Sequence, residues 1–165
     1  MTQAPDHYVL DDGSERWEVD HQLHREDGPA LIMPEGKCWY WHGKLHRADG
    51  GPAVIKAHGT QEWWQDGERH RAGAPAVEYA DGRPGKWYFK GQMHREDGPA
   101  MIDAQGHELW FSHGVQLSDQ QVVERALQMA ARENEKQGKE VAEAMNGGLQ
   151  KPVAPLRPPS FKPSP

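Results

Sequence analysis

The heptapeptide HREDGPA stands at 24–30 and returns letter for letter at 94–100. Two variants lie between them, HRADGGPA at 46–53 and HRAGAPA at 70–76. A catalytic group is normally used once, so a segment used four times reads first as a building block. The repetition extends beyond it. WYWHGKLHR (39–47), WWQDGERHR (63–71) and WYFKGQMHR (87–95) share Trp, Gly and His at identical offsets. WEVDHQLHR (17–25) puts His21 in the Gly slot, and WFSHGVQLS (110–118) keeps Trp and Gly but loses His-Arg. His24, His46, His70 and His94 therefore recur every 22 to 24 residues.

Each unit can be read locally. The runs PALI, PAVI, PAVE and PAMI are short and mostly apolar, and Pro can open a strand without sitting inside a sheet. Gly turns follow in PEGK, AHGT, ADGR and AQGH, then a Trp-led aromatic strand, a second Gly turn and the His-Arg segment. The prediction is a hairpin of two short strands per unit. About five such hairpins make a mainly β fold, an elongated antiparallel β-meander over residues 1–117. Seven Trp against three Phe, with only 36% hydrophobic residues, suit a thin sheet better than a deep core. Strand alternation places Trp17, Trp39, Trp63, Trp87 and Trp110 on one face and Glu18, Tyr40, Trp64, Tyr88 and Phe111 on the other.

Equivalent residues then lie two strands apart, roughly 9–10 Å. Histidines at that spacing cannot share one metal ion, whose ligands sit at about 2 Å from it. No metal and no cofactor is expected. The structural reading has each Arg stacked on the Trp of an adjacent unit and each His bonded to a turn.

The Trp, Gly and His offsets resemble those of MORN-type repeats, a pattern of Tyr/Trp-x-x-x-Gly-x-x-His-Gly-x-Gly. Trp39, Gly43 and His46 match it, as do Trp63, Gly67 and His70, and Trp87, Gly91 and His94. Arg25, Arg47, Arg71 and Arg95 stand where that family has Gly after His. The HRxDGPA form is similar to a variant in bacterial and phage proteins. The resemblance spans residues 10–117. It implies an antiparallel β-meander that binds other proteins or, in some members, membranes or lipids; some bacterial relatives are labelled antitoxins.

After the repeats, residues 118–146 predict an α-helix. Ser118 and Gln121 form a capping-box pattern, and Val122, Val123, Ala126, Leu127, Met129 and Ala130 form an apolar stripe, which Gly138 interrupts before Val141, Ala142 and Met145. The helix is expected to cap the open edge of the meander or to pair with a partner, including a second copy of the chain. Residues 147–165 read as a disordered Pro-rich tail, in which PVAPLR fits the Pro-x-x-Pro-x-Arg pattern of SH3 ligands.

The N-terminal stretch MTQAPDHYVLDDG lacks a signal-peptide pattern, and no apolar run nears the ~18 residues of a membrane span. With a single cysteine, Cys38, the chain reads as cytoplasmic. Its 19 Lys+Arg against 25 Asp+Glu argue against nucleic acid and anionic lipid. No Gly-rich phosphate loop, Gly-x-Ser-x-Gly or His-Glu-x-x-His appears, so the chain reads as non-catalytic. Cys38 and His42, the one candidate nucleophile pair, lie ~13 Å apart along a strand.

The function this favours is protein–protein interaction, binding and inhibiting or scaffolding another protein: a phage inhibitor of a host or defence enzyme, or an antitoxin. The contact candidates are Tyr40, Trp64, Tyr88 and Phe111, with Trp41 and Phe89 if the other face is the open one. The alternative is a nucleic-acid, lipid or ligand module using the edge of His24, Arg25, His46, Arg47, His70, Arg71, His94 and Arg95.

Overall fold

A computed structural model describes residues 4–147 and is mostly β, with one C-terminal helix. The Pro-rich motif at 152–157 lies outside the described residues. The chain falls into two units that divide after Val122, and the whole repeat region belongs to the first.

The repeat region is an antiparallel meander in which every second strand is interrupted. Gly36–Cys38, Trp39 and Tyr40–Trp41 run as one extended stretch. Its first half pairs with Val54–Lys56, and its second half pairs with Lys44–Leu45. Between those two partners the segment HRADGGPA leaves the sheet as a loop. Trp39 sits at the junction. Its N–H donates to the Ala53 carbonyl and its carbonyl accepts the His46 N–H, at 2.8 and 3.1 Å. Trp17, Trp63 and Trp87 make the same pair of bonds, with Ala30 and His24, Ala76 and His70, and Ala100 and His94.

The loop then closes over the indole. The guanidinium carbons of Arg25, Arg47, Arg71 and Arg95 lie 4.0, 4.2, 3.6 and 4.0 Å from the ring centroids of Trp17, Trp39, Trp63 and Trp87. Each Arg therefore stacks on the Trp of its own hairpin. The expectation of stacking between adjacent units is corrected: the loop is just long enough to return over the strand it left. The same guanidinium donates to a carboxylate, from Arg25 to Asp27 at 2.7 Å and from Arg95 to Asp97 at 2.7 Å. Arg47 donates to Asp49 at 2.9 Å and to the Pro52 carbonyl at 3.2 Å. Beneath the loops Ala30, Ala53, Ala76 and Ala100 are fully buried, while no large side chain among the described residues is.

The third repeat shows how the parts depend on one another. Gly28, Gly51 and Gly98 lie so close to their Arg that a β-carbon would come within 3.1, 2.8 and 2.9 Å of its guanidinium carbon. The third repeat has Ala74 in that place and Gly73 in place of the Asp. There Arg71 turns to Glu78 instead, and still donates to the Pro75 carbonyl at 3.1 Å.

The turn before each loop is a two-residue turn with both φ values positive, such as His42 (44°) and Gly43 (75°). That is the type I′ geometry whose twist matches a hairpin. The helix covers Asp119–Gly147 and runs through Gly138 without a break. Its N-terminus has the expected capping box: Ser118 N–H donates to Gln121 Oε1 at 2.9 Å, and Gln121 N–H donates to Ser118 Oγ at 3.4 Å. Val123, Leu127, Val141 and Met145 on the helix are exposed.

A Gly51→Ala substitution places a β-carbon against the Arg47 guanidinium, which can turn aside as Arg71 does beside Ala74, and is expected to cost no more than about 1 kcal/mol in urea unfolding. A loss above about 3 kcal/mol would contradict this reading, since it would mean that the guanidinium cannot give way.

Candidate functional site

The histidines of the repeats join one hairpin to the next. His24 Nδ1 accepts the N–H of His42 at 3.2 Å, and His46 Nδ1 accepts that of Asp66 at 3.3 Å. His70 Nδ1 accepts the N–H of Lys90 at 3.2 Å, and His94 Nδ1 that of His113 at 3.3 Å. Each donor is the first residue of the following hairpin's turn. The Gly beside it donates to the preceding hairpin, as Gly43 does to the Leu23 carbonyl at 2.9 Å. An imidazole that accepts at Nδ1 must be neutral there, because His⁺ has only donors. Burial lowers the pKa of His24, His42 nearby acts in the same direction, and Glu26 opposes them.

The loops and the aromatic strands enclose a row of clefts. One lies between the loops of the first and second repeats, over Trp39 and Trp41, with a volume of about 380 Å³. The next is lined by Trp63, Trp64 and both flanking loops, at about 430 Å³. A third is lined by Trp87, Tyr88 and Phe89 and measures about 550 Å³. A fourth, of about 380 Å³, joins the first loop and Trp17 to Ala4 and Pro5. The clefts recur with the repeat.

The expected site residues distribute as follows. Trp41 and Phe89 are 38% and 37% exposed and lie on the His-Arg side, with ring centroids 4.5 Å from His24 and 4.9 Å from His70. Trp64 and Tyr88 are half-buried and also line clefts. Tyr40 and Phe111 are half-buried in their hairpins, paired across to Leu45 and Gln116. Arg25, His46, Arg47, Arg71, His94 and Arg95 line the clefts that Trp41 or Phe89 lines, and His24 and His70 line the clefts beside them. Two sets of residues treated as alternatives in the sequence therefore share one surface. The Arg charges on it are committed, each to a Trp face and a carboxylate. The cleft rims add the exposed acids Glu26, Asp27, Asp49, Glu96 and Asp97.

A second polar cluster escaped the sequence reading. Glu62 is buried, yet its carboxylate accepts from Arg69 Nη2 at 3.0 Å, Arg69 Nε at 3.2 Å and Trp64 Nε1 at 3.2 Å. Lys56 Nζ lies 3.1 Å from it. Burial pushes the Glu62 pKa up, but the bonds from Lys56 and Arg69 outweigh this and hold it below the usual carboxylate value. The signal available in the sequence was the repeat frame. The residue before the Trp is Arg16 in the first repeat, Cys38 in the second and Leu109 in the fifth, but the adjacent pair Glu62 and Lys86 in the third and fourth.

Cys38 is half-buried, and burial, then Glu62, raises its thiol pKa, which disfavours the thiolate. Among the described residues, no three His, Cys, Asp or Glu side chains gather so as to hold a metal ion. Among them, too, no helix is long and apolar enough to cross a membrane. No family model, curated protein or solved structure matches this chain.

Because the folded His24 has a depressed pKa, the unfolded chain takes up the proton first as pH falls. The stability His24 contributes is full above about pH 6.5 and is lost as pH drops from there through the lowered folded value. Urea unfolding is expected to shift to lower midpoints between about pH 7.5 and pH 5. A His24→Asn variant, whose amide oxygen is an acceptor that does not titrate, is expected to flatten that dependence. An identical pH profile in the variant would mean that the Nδ1 bond is not the sensor.

Proposed function

We propose that the repeat region is a non-catalytic protein-binding module of MORN-like type, which inhibits or scaffolds the protein it holds. The observation that carries this reading is the row of aromatic-floored clefts, one per repeat junction, with Trp41 and Phe89 open to solvent. Large aromatic rings in pockets are the usual anchors of protein interfaces. Clefts at a roughly 10 Å repeat suit a partner that presents one protruding side chain per cleft. Their acidic rims favour a partner whose flanking surface is basic.

The alternative role for the His-Arg edge, binding nucleic acid or lipid through a row of cations, has less support. Nearly all of that cationic charge is spent inside the loops. A homodimer through the exposed apolar positions of the helix, Val123, Leu127, Val141 and Met145, is a further contact that the chain offers.

The reading is tested by pull-down from a native lysate with mass-spectrometric identification. The wild-type chain is compared with a Trp41→Ala, Phe89→Ala variant and with a Trp64→Ala, Tyr88→Ala variant. One protein retained by the wild type and lost with Trp41 and Phe89 is the expected result. Loss only with Trp64 and Tyr88 would place the contact on the half-buried aromatics of the same clefts rather than on Trp41 and Phe89. Recovery of nucleic acid instead of protein would overturn the proposal.

A further inference from the structure

The repeat frame explains the Trp, Arg, His and Gly positions, but it does not explain the cluster around Glu62. That cluster borders a cavity of about 230 Å³ on the face opposite the Trp junctions. Four cations line it: Lys56, Arg69, Arg83 and Lys86. The sixth residue after the Trp is Leu23, Leu45 and Met93 in three other repeats and Arg69 here. The third residue after the buried Ala is Met33 in the first repeat and Lys56 here. Charged groups thus replace apolar ones in neighbouring units, on one face. Val77 is the cross-strand partner of both Glu62 and Lys86, so both side chains rise beside it from the same surface.

The backbone is altered at the same place. The stretch from Ala76 to Trp87 is one residue longer than the stretches from Ala53 to Trp63 and from Ala100 to Trp110. The extra length carries Pro84 and Gly85, and regular pairing shrinks to the single bridge between Val77 and Lys86. Gly85 packs so closely that a β-carbon would lie 2.5 Å from the Val77 carbonyl oxygen. This pins the loop and sets Arg83 over the Tyr79 ring, 3.7 Å from its centroid.

The charges do not cancel. Glu62 is one carboxylate shared by Lys56 and Arg69. Arg83 has the exposed Asp81 at 3.5 Å. Counting the lining groups alone, four cations face one carboxylate in a chain whose net charge is -6. Glu62 uses only two of the five N–H donors of Arg69, and so orients that guanidinium without exhausting it. Convergent Arg and Lys donors with net positive charge in a small cavity are the chemistry that recognises a multiply charged oxyanion, above all phosphate.

We propose that this cavity is a binding site for a phosphate group, carried by a small phosphate ester or by a lipid headgroup. Lys56, Arg69, Arg83 and Lys86 supply the donors, and Glu62 positions the first two. The site borders the third aromatic cleft, with which it shares Tyr88, but it does not depend on the partner proposed for the clefts.

The test is calorimetric titration of the full chain with pyrophosphate at about 150 mM salt, where screening removes attraction not confined to contact distance. In parallel, phosphatidylcholine vesicles with and without phosphatidic acid report the lipid source. An Arg83→Gln, Lys86→Gln variant leaves the Glu62 bonds in place, and Lys44→Gln removes a cation on the opposite face. Saturable one-to-one binding of pyrophosphate, weakened at least about tenfold in the double variant and unchanged in Lys44→Gln, is the expected result. Binding only to phosphatidic acid vesicles, lost in the double variant, supports the same site with the lipid as source. Binding equal in wild type and double variant, or no binding to either probe, overturns the proposal. Matching thermal unfolding curves for the variants establish that any loss is at the site.

Discussion

A guanidinium seated over an indole holds each of the four His-Arg loops closed. The HRxDGPA loop serves as the cover over the Trp ring, and the Arg is what ties it down. The magnitudes assign the roles. Burying a Trp ring completely removes about 150–250 Å² from water, roughly 4–6 kcal/mol at ~25 cal/mol per Å²; Trp63 comes near this, and the half-buried Trp17, Trp39 and Trp87 gain a part of it. The cation–π contact adds only about 1–2 kcal/mol. The ring therefore supplies the energy, and the Arg decides which segment covers it. The carboxylate and the Pro carbonyl fix the guanidinium in one orientation. The close-packed Gly and the buried Ala let the backbone come down over it.

The histidines play a complementary part along the chain. Arg closes a hairpin on itself, while His Nδ1 reaches the turn of the next one. His-Arg is thus a dipeptide whose two side chains point to two kinds of contact, within and between units. This accounts for its repetition without any catalytic chemistry. It also makes the first junction respond to pH through His24, whose pKa burial lowers.

Much of the fold was legible from the sequence, because the Trp and Gly offsets report strand and turn directly. The meander, the type I′ turns and the Ser118–Gln121 cap follow from local rules. What was not legible depends on closure over distance. Nothing in the spacing of Arg47 distinguishes Trp39 from the Trp of a neighbouring unit, and only the path of the loop decides. The continuity of the helix through Gly138 was likewise hidden, since a glycine weakens a helix by about 1 kcal/mol without ending it. Of the candidate site, the residue types were legible but not their shared surface. Trp41 and His46 lie on one cleft because the strand interruption brings the loop beside the aromatic strand. Glu62 with its two cations was missed, since periodicity marks what recurs and this cluster is what departs from it.

The central claim, that Arg on Trp closes the repeat, is tested most directly by a double-mutant cycle on Arg47 and Trp39. Stability would be measured for wild type, Arg47→Met, Trp39→Leu and the double variant. A favourable coupling of about 1 kcal/mol or more is predicted, since each single change removes the same contact. Additivity within about 0.3–0.5 kcal/mol would contradict the claim and leave Trp burial as the only force that closes the loop.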